Sequence, residues 1–198
     1  MNTITTVLTT EAVFSQDNTK RYLLKKTWDT SLPKLTIIML APSIASGVEL
    51  DSTTSLVLNN ASALGFGSVS IVNLFATLGD FTLSVIEEKD PENMDAILEA
   101  VKSADVCIYA PGTGKAKLQI FQERSKQVLE ALRPYESKLK CLTSASGKPN
   151  LHPLCPAARY WHLKELRINE LLPQTTPVEP KQPKKKGRPT VMKKEASV

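Results

Sequence analysis

Two side chains in this sequence pair useful chemistry with a position where a strand gives way to a loop. His152, followed by Pro153 and Leu154, sits in a polar loop. Near neutral pH an imidazole offers one ring nitrogen as donor and the other as acceptor. Asn73 follows the apolar pair Ile71-Val72, and its amide presents a donor and an acceptor side by side, the pattern that reads the edge of a nucleobase. Two short loops follow other apolar runs: Ala41-Pro42-Ser43, and Gly112-Thr113-Gly114-Lys115. The second could cradle a phosphate on its backbone N–H groups. A full triphosphate loop also needs a Gly four positions before the final Gly-Lys and a hydroxyl residue after the Lys. Ala116 stands there, so a nucleotide triphosphatase is not indicated, and what remains is a one-anion site at a helix N-terminus. Each residue also has a plain reading: a solvated His, an Asn that forms a turn, and an Asp51 that caps a helix.

The elements that must position these groups follow from hydrophobic pattern. Residues 35–42 are apolar but for one Thr, a run too long for a half-buried edge strand and too short for a membrane span. It reads as a central strand ending at Pro42. Residues 7–15 and 21–28 read as an antiparallel hairpin around Gln16-Asp17-Asn18-Thr19-Lys20. Asp51 opens a helix that Gly65 closes, and residues 69–76 form a second strand. Asp90-Pro91-Glu92 starts a helix whose inward stripe is Met94, Ile97, Leu98 and Val101. A strand over 105–110, a long helix over 116–133, a short strand over 139–142 and a last helix over 157–171 complete the alternation. Such alternation predicts a four-stranded, mainly parallel sheet between helices. Ligands of such sheets bind beyond the carboxyl ends of the strands, where the loops 41–46, 73–77, 111–115 and 143–152 gather.

The 198 residues carry a net charge of +5, unevenly spread. Residues 173–198 hold seven Lys or Arg against Glu179 and Glu195, so the whole excess belongs to this stretch and the preceding 172 residues sum to zero. Pro, Lys and Thr dominate it without apolar periodicity, which predicts a folded domain over 1–172 and a disordered basic tail over 173–198. Within the tail, Lys184-Lys185-Lys186-Gly187-Arg188-Pro189 resembles an AT-hook, which lays Arg into the narrow minor groove of A·T-rich DNA. Three cysteines without a close pair read as reduced thiols, and two histidines are too few for a His-rich metal centre. No basic leader with an apolar run, and no membrane-length segment, is evident, so a cytoplasmic protein is expected, with no cofactor and no metal.

The loops taken together resemble a known family. The set is Arg21-Tyr22-Leu23, Met39-Leu40-Ala41-Pro42-Ser43, Asp51-Ser52-Thr53, Val72-Asn73-Leu74-Phe75-Ala76, Ala110-Pro111-Gly112 and Gly147-Lys148-Pro149-Asn150-Leu151-His152-Pro153-Leu154. In order and spacing, over about residues 14–163, it is similar to the bacterial and phage family known as domain of unknown function 1643. That family in turn resembles the uracil-DNA glycosylases. The resemblance implies an α/β/α sandwich with a four-stranded sheet, and a pocket where a flipped base meets Ala41, Pro42, Ser43 and Asn73. Phe75 or Tyr109 would stack on the base, and His152 would stabilise it as it departs. DNA or a nucleotide is the implied partner, with Gly112 to Lys115 and the tail residues Lys184, Lys185, Lys186 and Arg188 on phosphates. The enzymes usually carry Asp or Asn where Ala41 stands, and Pro111 replaces a usual Trp. Asp51 is the nearest downstream acid that could serve the attacking water. Two readings follow: a glycosylase, or a degenerate relative that binds without cleaving.

Overall fold

The strand over Lys34–Met39 (β3) organises the molecule, and every residue of it from Leu35 to Met39 is buried. Leu35, Ile37 and Met39 point into one core, while Ile38 points into the other. Thr36, on the side of Ile38, donates its hydroxyl to the carbonyl of Ala100 at 2.8 Å. A strand covered on both faces can use apolar residues at every position, which is why the run shows no alternation.

The computed structural model describes residues 1–43, 47–79 and 90–172. In these, a seven-stranded sheet runs β1(Thr9–Phe14), β2(Arg21–Thr27), β4(Ser68–Asn73), β3, β5(Val106–Tyr109), β6(Leu139–Thr143), β7(His162–Glu165) in spatial order. The four central strands β4, β3, β5 and β6 run parallel. The ladders β1–β2, β2–β4 and β6–β7 are antiparallel. Helices α2(Pro91–Ser103) and α3(Gln119–Ala131) cover one face, with the short α4(Ile168–Leu171), and α1(Ser52–Ala63) covers the other. The α/β class and the crossover helices are those the hydrophobic pattern predicts.

Local chemistry sets the helix ends. Asp51 caps α1 by accepting the Thr54 N–H at 2.5 Å, and Asp90 caps α2 by accepting the Asn93 N–H at 3.0 Å, with Pro91 in the first turn. Gly65 at φ +82° ends α1 in the left-handed conformation a side chain resists.

Three expectations are corrected. The sheet has seven strands rather than four, because the hairpin β1–β2 joins it through β4 and β7 adds to it beside β6. The helix expected over 157–171 is a 3-10 turn at Pro156–Ala158, the strand β7 and the four-residue α4. Its helical composition yields to the open edge of β6, whose ladder with β7 and Lys140–Glu165 ion pair at 2.6 Å supply partners a helix would not. The helix expected over 116–133 begins only at Gln119, ends at Ala131, and passes into a 3-10 segment at Arg133–Lys138, with Pro134 in its first turn. The basic tail, including Lys184, Lys185, Lys186 and Arg188, lies outside the described residues, as does part of the loop 41–46. Among the described residues no helix is long and apolar enough to cross a membrane.

The carboxyl end of β4 is tied down from the helix layer. Asn93, fully buried in α2, donates its amide N–H groups to the carbonyls of Asn73 (3.2 Å) and Leu74 (3.1 Å). Arg124 of α3 donates Nε–H to the Leu74 carbonyl at 2.8 Å. Removing the Asn93 amide leaves buried carbonyls short of donors, so Asn93→Ala should lower stability by about 1–3 kcal/mol. A urea-unfolding midpoint shifted at unchanged slope checks this.

Candidate functional site

The late loop is built to present His152. Leu151 N–H bonds back to the Leu142 carbonyl of β6 at 3.2 Å, and Gly147, at φ +84°, closes the preceding turn onto Ser144. After His152 the chain turns again, with Cys155 N–H on the His152 carbonyl at 2.8 Å. Inside this turn the Leu154 N–H donates to His152 Nδ1 at 3.1 Å. An accepting Nδ1 in a neutral ring leaves the proton on Nε2. The imidazole therefore offers Nε2–H as a donor.

The loop after β5 packs against it. Gly112 sits at φ +77°, and a Cβ there would lie 2.9 Å from the His152 Cβ, so a larger residue would displace the imidazole. Between the two loops opens a cleft of about 460 Å³, walled by Leu40, Pro111, Gly112, Lys115, Leu151 and His152.

Charge is arranged around this cleft. Burial lowers the His152 pKa and the nearby Asp51 carboxylate opposes this more weakly, so the ring is neutral at pH 7. Burial would raise Asp51, but hydrogen bonds from the Ser43 hydroxyl and Thr54, together with the Arg21 charge, hold it below the usual carboxylate range. Arg21 is itself buried in β2 and donates Nη1–H to the Ser43 carbonyl at 3.2 Å. Burial lowers its pKa, against the pull of Asp51. The turn at Ala41-Pro42-Ser43 is thus clamped between an arginine and a helix-capping carboxylate.

Not every expected residue joins this cleft. Asn73 ends β4 beside Met39, only 1% exposed, and walls neither this cleft nor a second one of similar size among the described residues. Its Nδ2 and Oδ1 are both buried without a hydrogen-bond partner among the described residues. Phe75 is packed in the core under α2 and α3, so its ring is not a free stacking face. Tyr109 is buried in the same core, its hydroxyl 2.6 Å from Ser125 Oγ and its pKa pushed up to about 12 by burial. It borders the second cleft, also about 460 Å³, on the far side of Pro111 and Gly112.

Asp51 is engaged as the cap of α1 rather than standing free. Gly112 to Lys115 do not open a helix: turns at Thr113–Ala116 and Lys115–Leu118 intervene before α3, which corrects the helix-terminus anion site. Among the described residues no group of His, Cys, Asp and Glu could hold a metal ion.

Two positioning residues were not singled out from the sequence, Asn93 and Arg124, and Arg21 entered only as part of the Arg21-Tyr22-Leu23 motif, with no role assigned. Each is a polar residue inside a buried stripe. Arg124 falls between Phe121 and Val128 on α3, and Asn93 lies four residues before Ile97 on α2. A polar or charged residue on the apolar face of a helix was the available signal for Asn93 and Arg124.

The His152 geometry makes a pH prediction. Protonation would put an N–H on Nδ1 against the Leu154 N–H and a charge into a buried site. A folded pKa depressed below 6.5 contributes stability that is present above pH 6.5 and lost as pH falls through the folded value. NMR titration of the His152 ring protons, assigned with His152→Gln, should give a midpoint below 6.5.

The model of the family described as Protein of unknown function (DUF1643) matches residues 21–154. No curated protein and no solved structure matches the chain. The matched span is well over half of the 198 residues and holds Arg21, Ser43, Asp51, Asn73, Gly112 and His152, and the chain belongs to this family of proteins of unknown function.

Proposed function

We propose that this chain is a uracil-DNA-glycosylase-like protein that recognises a nucleobase or nucleotide, with DNA as its partner. The observation that carries the reading is His152: a neutral imidazole, held through Nδ1, that lines a cleft at the carboxyl rim of the parallel strands and has Nε2–H as its donor. A donor so placed suits the carbonyl oxygen of a base, on which negative charge grows as the N-glycosidic bond breaks and its electron pair passes to the base. Asn73 is the reader of the base edge. Its unpartnered amide costs about 1–3 kcal/mol for each unmet group, a cost that a base edge would offset. Because Asn73 lies under the rim, base entry on this reading includes movement of the neighbouring loops. Lys115 and the backbone of Gly112 to Gly114 meet the flanking phosphates. Lys184, Lys185, Lys186 and Arg188 add affinity that is poor in sequence preference.

One observation favours a second reading, recognition without cleavage. Ala41 can neither orient nor deprotonate water. Asp51, the nearest acid, already accepts from Thr54 and Ser43 and is held ionised by them, which makes it a weak base.

Duplexes and single strands bearing uracil, hypoxanthine or modified cytosine, treated with the protein and then with alkali, separate the readings. Scission that drops at least ~10²-fold in His152→Ala supports the glycosylase. Binding without scission, weakened in Asn73→Ala, supports the binder. Neither binding nor scission with any base sinks both.

Salt dependence tests the tail. Deleting residues 173–198 should flatten the slope of log affinity against log salt by about 0.9 for each phosphate of B-form DNA that the tail neutralises. An unchanged slope counts against a DNA-binding tail.

A further inference from the structure

The strand β1 leaves the outer edge of the sheet open. Among the described residues it bonds to β2 on one side only, and it stands at the end of the strand order. Native edges are usually guarded by lysine, proline or inward charges. This one has a single charge, Glu11, already 3.8 Å from Lys25 of β2, and no proline. Ahead of it, residues 3–8 read Thr-Ile-Thr-Thr-Val-Leu, five of them β-branched, yet they form no strand. Their apolar side chains face solvent: Ile4 is 86% exposed, Val7 69% and Leu8 48%, followed by Val13 at 41%. With Met1, these make five of the twelve large exposed apolar side chains among the described residues.

The chain therefore carries an unpaired edge and, beside it, an unpaired strand-forming segment. They cannot satisfy each other within one molecule. Folding residues 3–8 back onto β1 needs a tight turn, and no Gly, Pro, Asn or Asp occurs between Thr3 and Phe14. A second copy brings the same two halves in the complementary sense. We infer that residues 3–13 of two copies pair antiparallel across a twofold axis, joining two sheets edge to edge. A twofold centred on Leu8 sets Leu8 against its own copy, Ile4 against Ala12 and Thr5 against Glu11, and it keeps the two Glu11 carboxylates apart. Ala12 lies on the α1 side of the sheet, packed against that core, so alternation directs Ile4 and Leu8 toward the same side. Residues 1–20 precede the family-matched span, so this surface lies outside it. It stands apart from the cleft around His152 and does not depend on the glycosylase reading.

Sedimentation equilibrium of the full chain should show a species of about 43 kDa, twice 21.7 kDa, in exchange with monomer. Val7→Lys and deletion of residues 2–8 remove exposed groups only, so both should keep the circular dichroism of the parent while weakening dimerisation at least ~10-fold. In a Cys155→Ser background, whose other cysteines are buried, Leu8→Cys should form an intermolecular disulfide under mild oxidation, and Val48→Cys should not. A parent that stays monomeric up to its solubility limit overturns the inference. So does a dimer that survives both N-terminal variants, or one that leaves Leu8→Cys unlinked.

Discussion

Burial of β3 on both faces is the constraint from which the rest of the molecule follows. Five consecutive side chains without water, the hydroxyl of Thr36 already engaged by the Ala100 carbonyl, leave no free polar group along the strand, so any chemistry must sit at its ends. Parallel neighbours on either side place the ends of β4, β5 and β6 at the same rim. Asn73, Ala110 and Leu142 are brought level with Met39 by ladder register, and the loops that follow them are neighbours for that reason. The gathering of Ser43, Gly112 and His152 is thus a product of sheet order more than of any attraction between them.

Electrostatics at that rim is balanced by neighbours rather than by solvent. Arg21 and Asp51 are each taken from water, and each offsets part of the other's cost while both fasten Ser43. His152 lies within reach of the Asp51 charge but is kept neutral by burial and by the amide facing Nδ1. The carboxylate thereby acts as structure, whereas the imidazole keeps a polar hydrogen that no described residue accepts. That division of roles makes binding easier to derive from these residues than bond cleavage.

Much of this was legible in the sequence, for identifiable reasons. Helix caps at Asp51 and Asp90, the stop at Gly65 and the apolar stripe from Met94 to Val101 depend on local chemistry that a short window contains. The strand β7 was not legible, because residues 162–165 carry helical propensity and are drawn into the sheet only by the open edge of β6. The placement of Phe75 in the core escaped detection too. An aromatic after a strand reads equally well as a stacking ring or as packing, and only the position of α2 and α3 decides between them. Asn93 and Arg124 were hidden because their roles are to hold carbonyls of β4 far away in the chain.

The two antiparallel flanks have a bearing on how this family is handled at the bench. Its shared signature stops at Leu154, whereas the sheet is completed on one side by β1 and on the other by β7. A fragment trimmed to the signature would retain every residue of the rim and yet strip the ladder from β6 and β2. Backbone groups next to Cys141 and Leu142 would then be bared, inviting insoluble association. Boundaries drawn by kinship and boundaries drawn by closure of the sheet are different lines, and the second is the one a self-sufficient folding unit must respect.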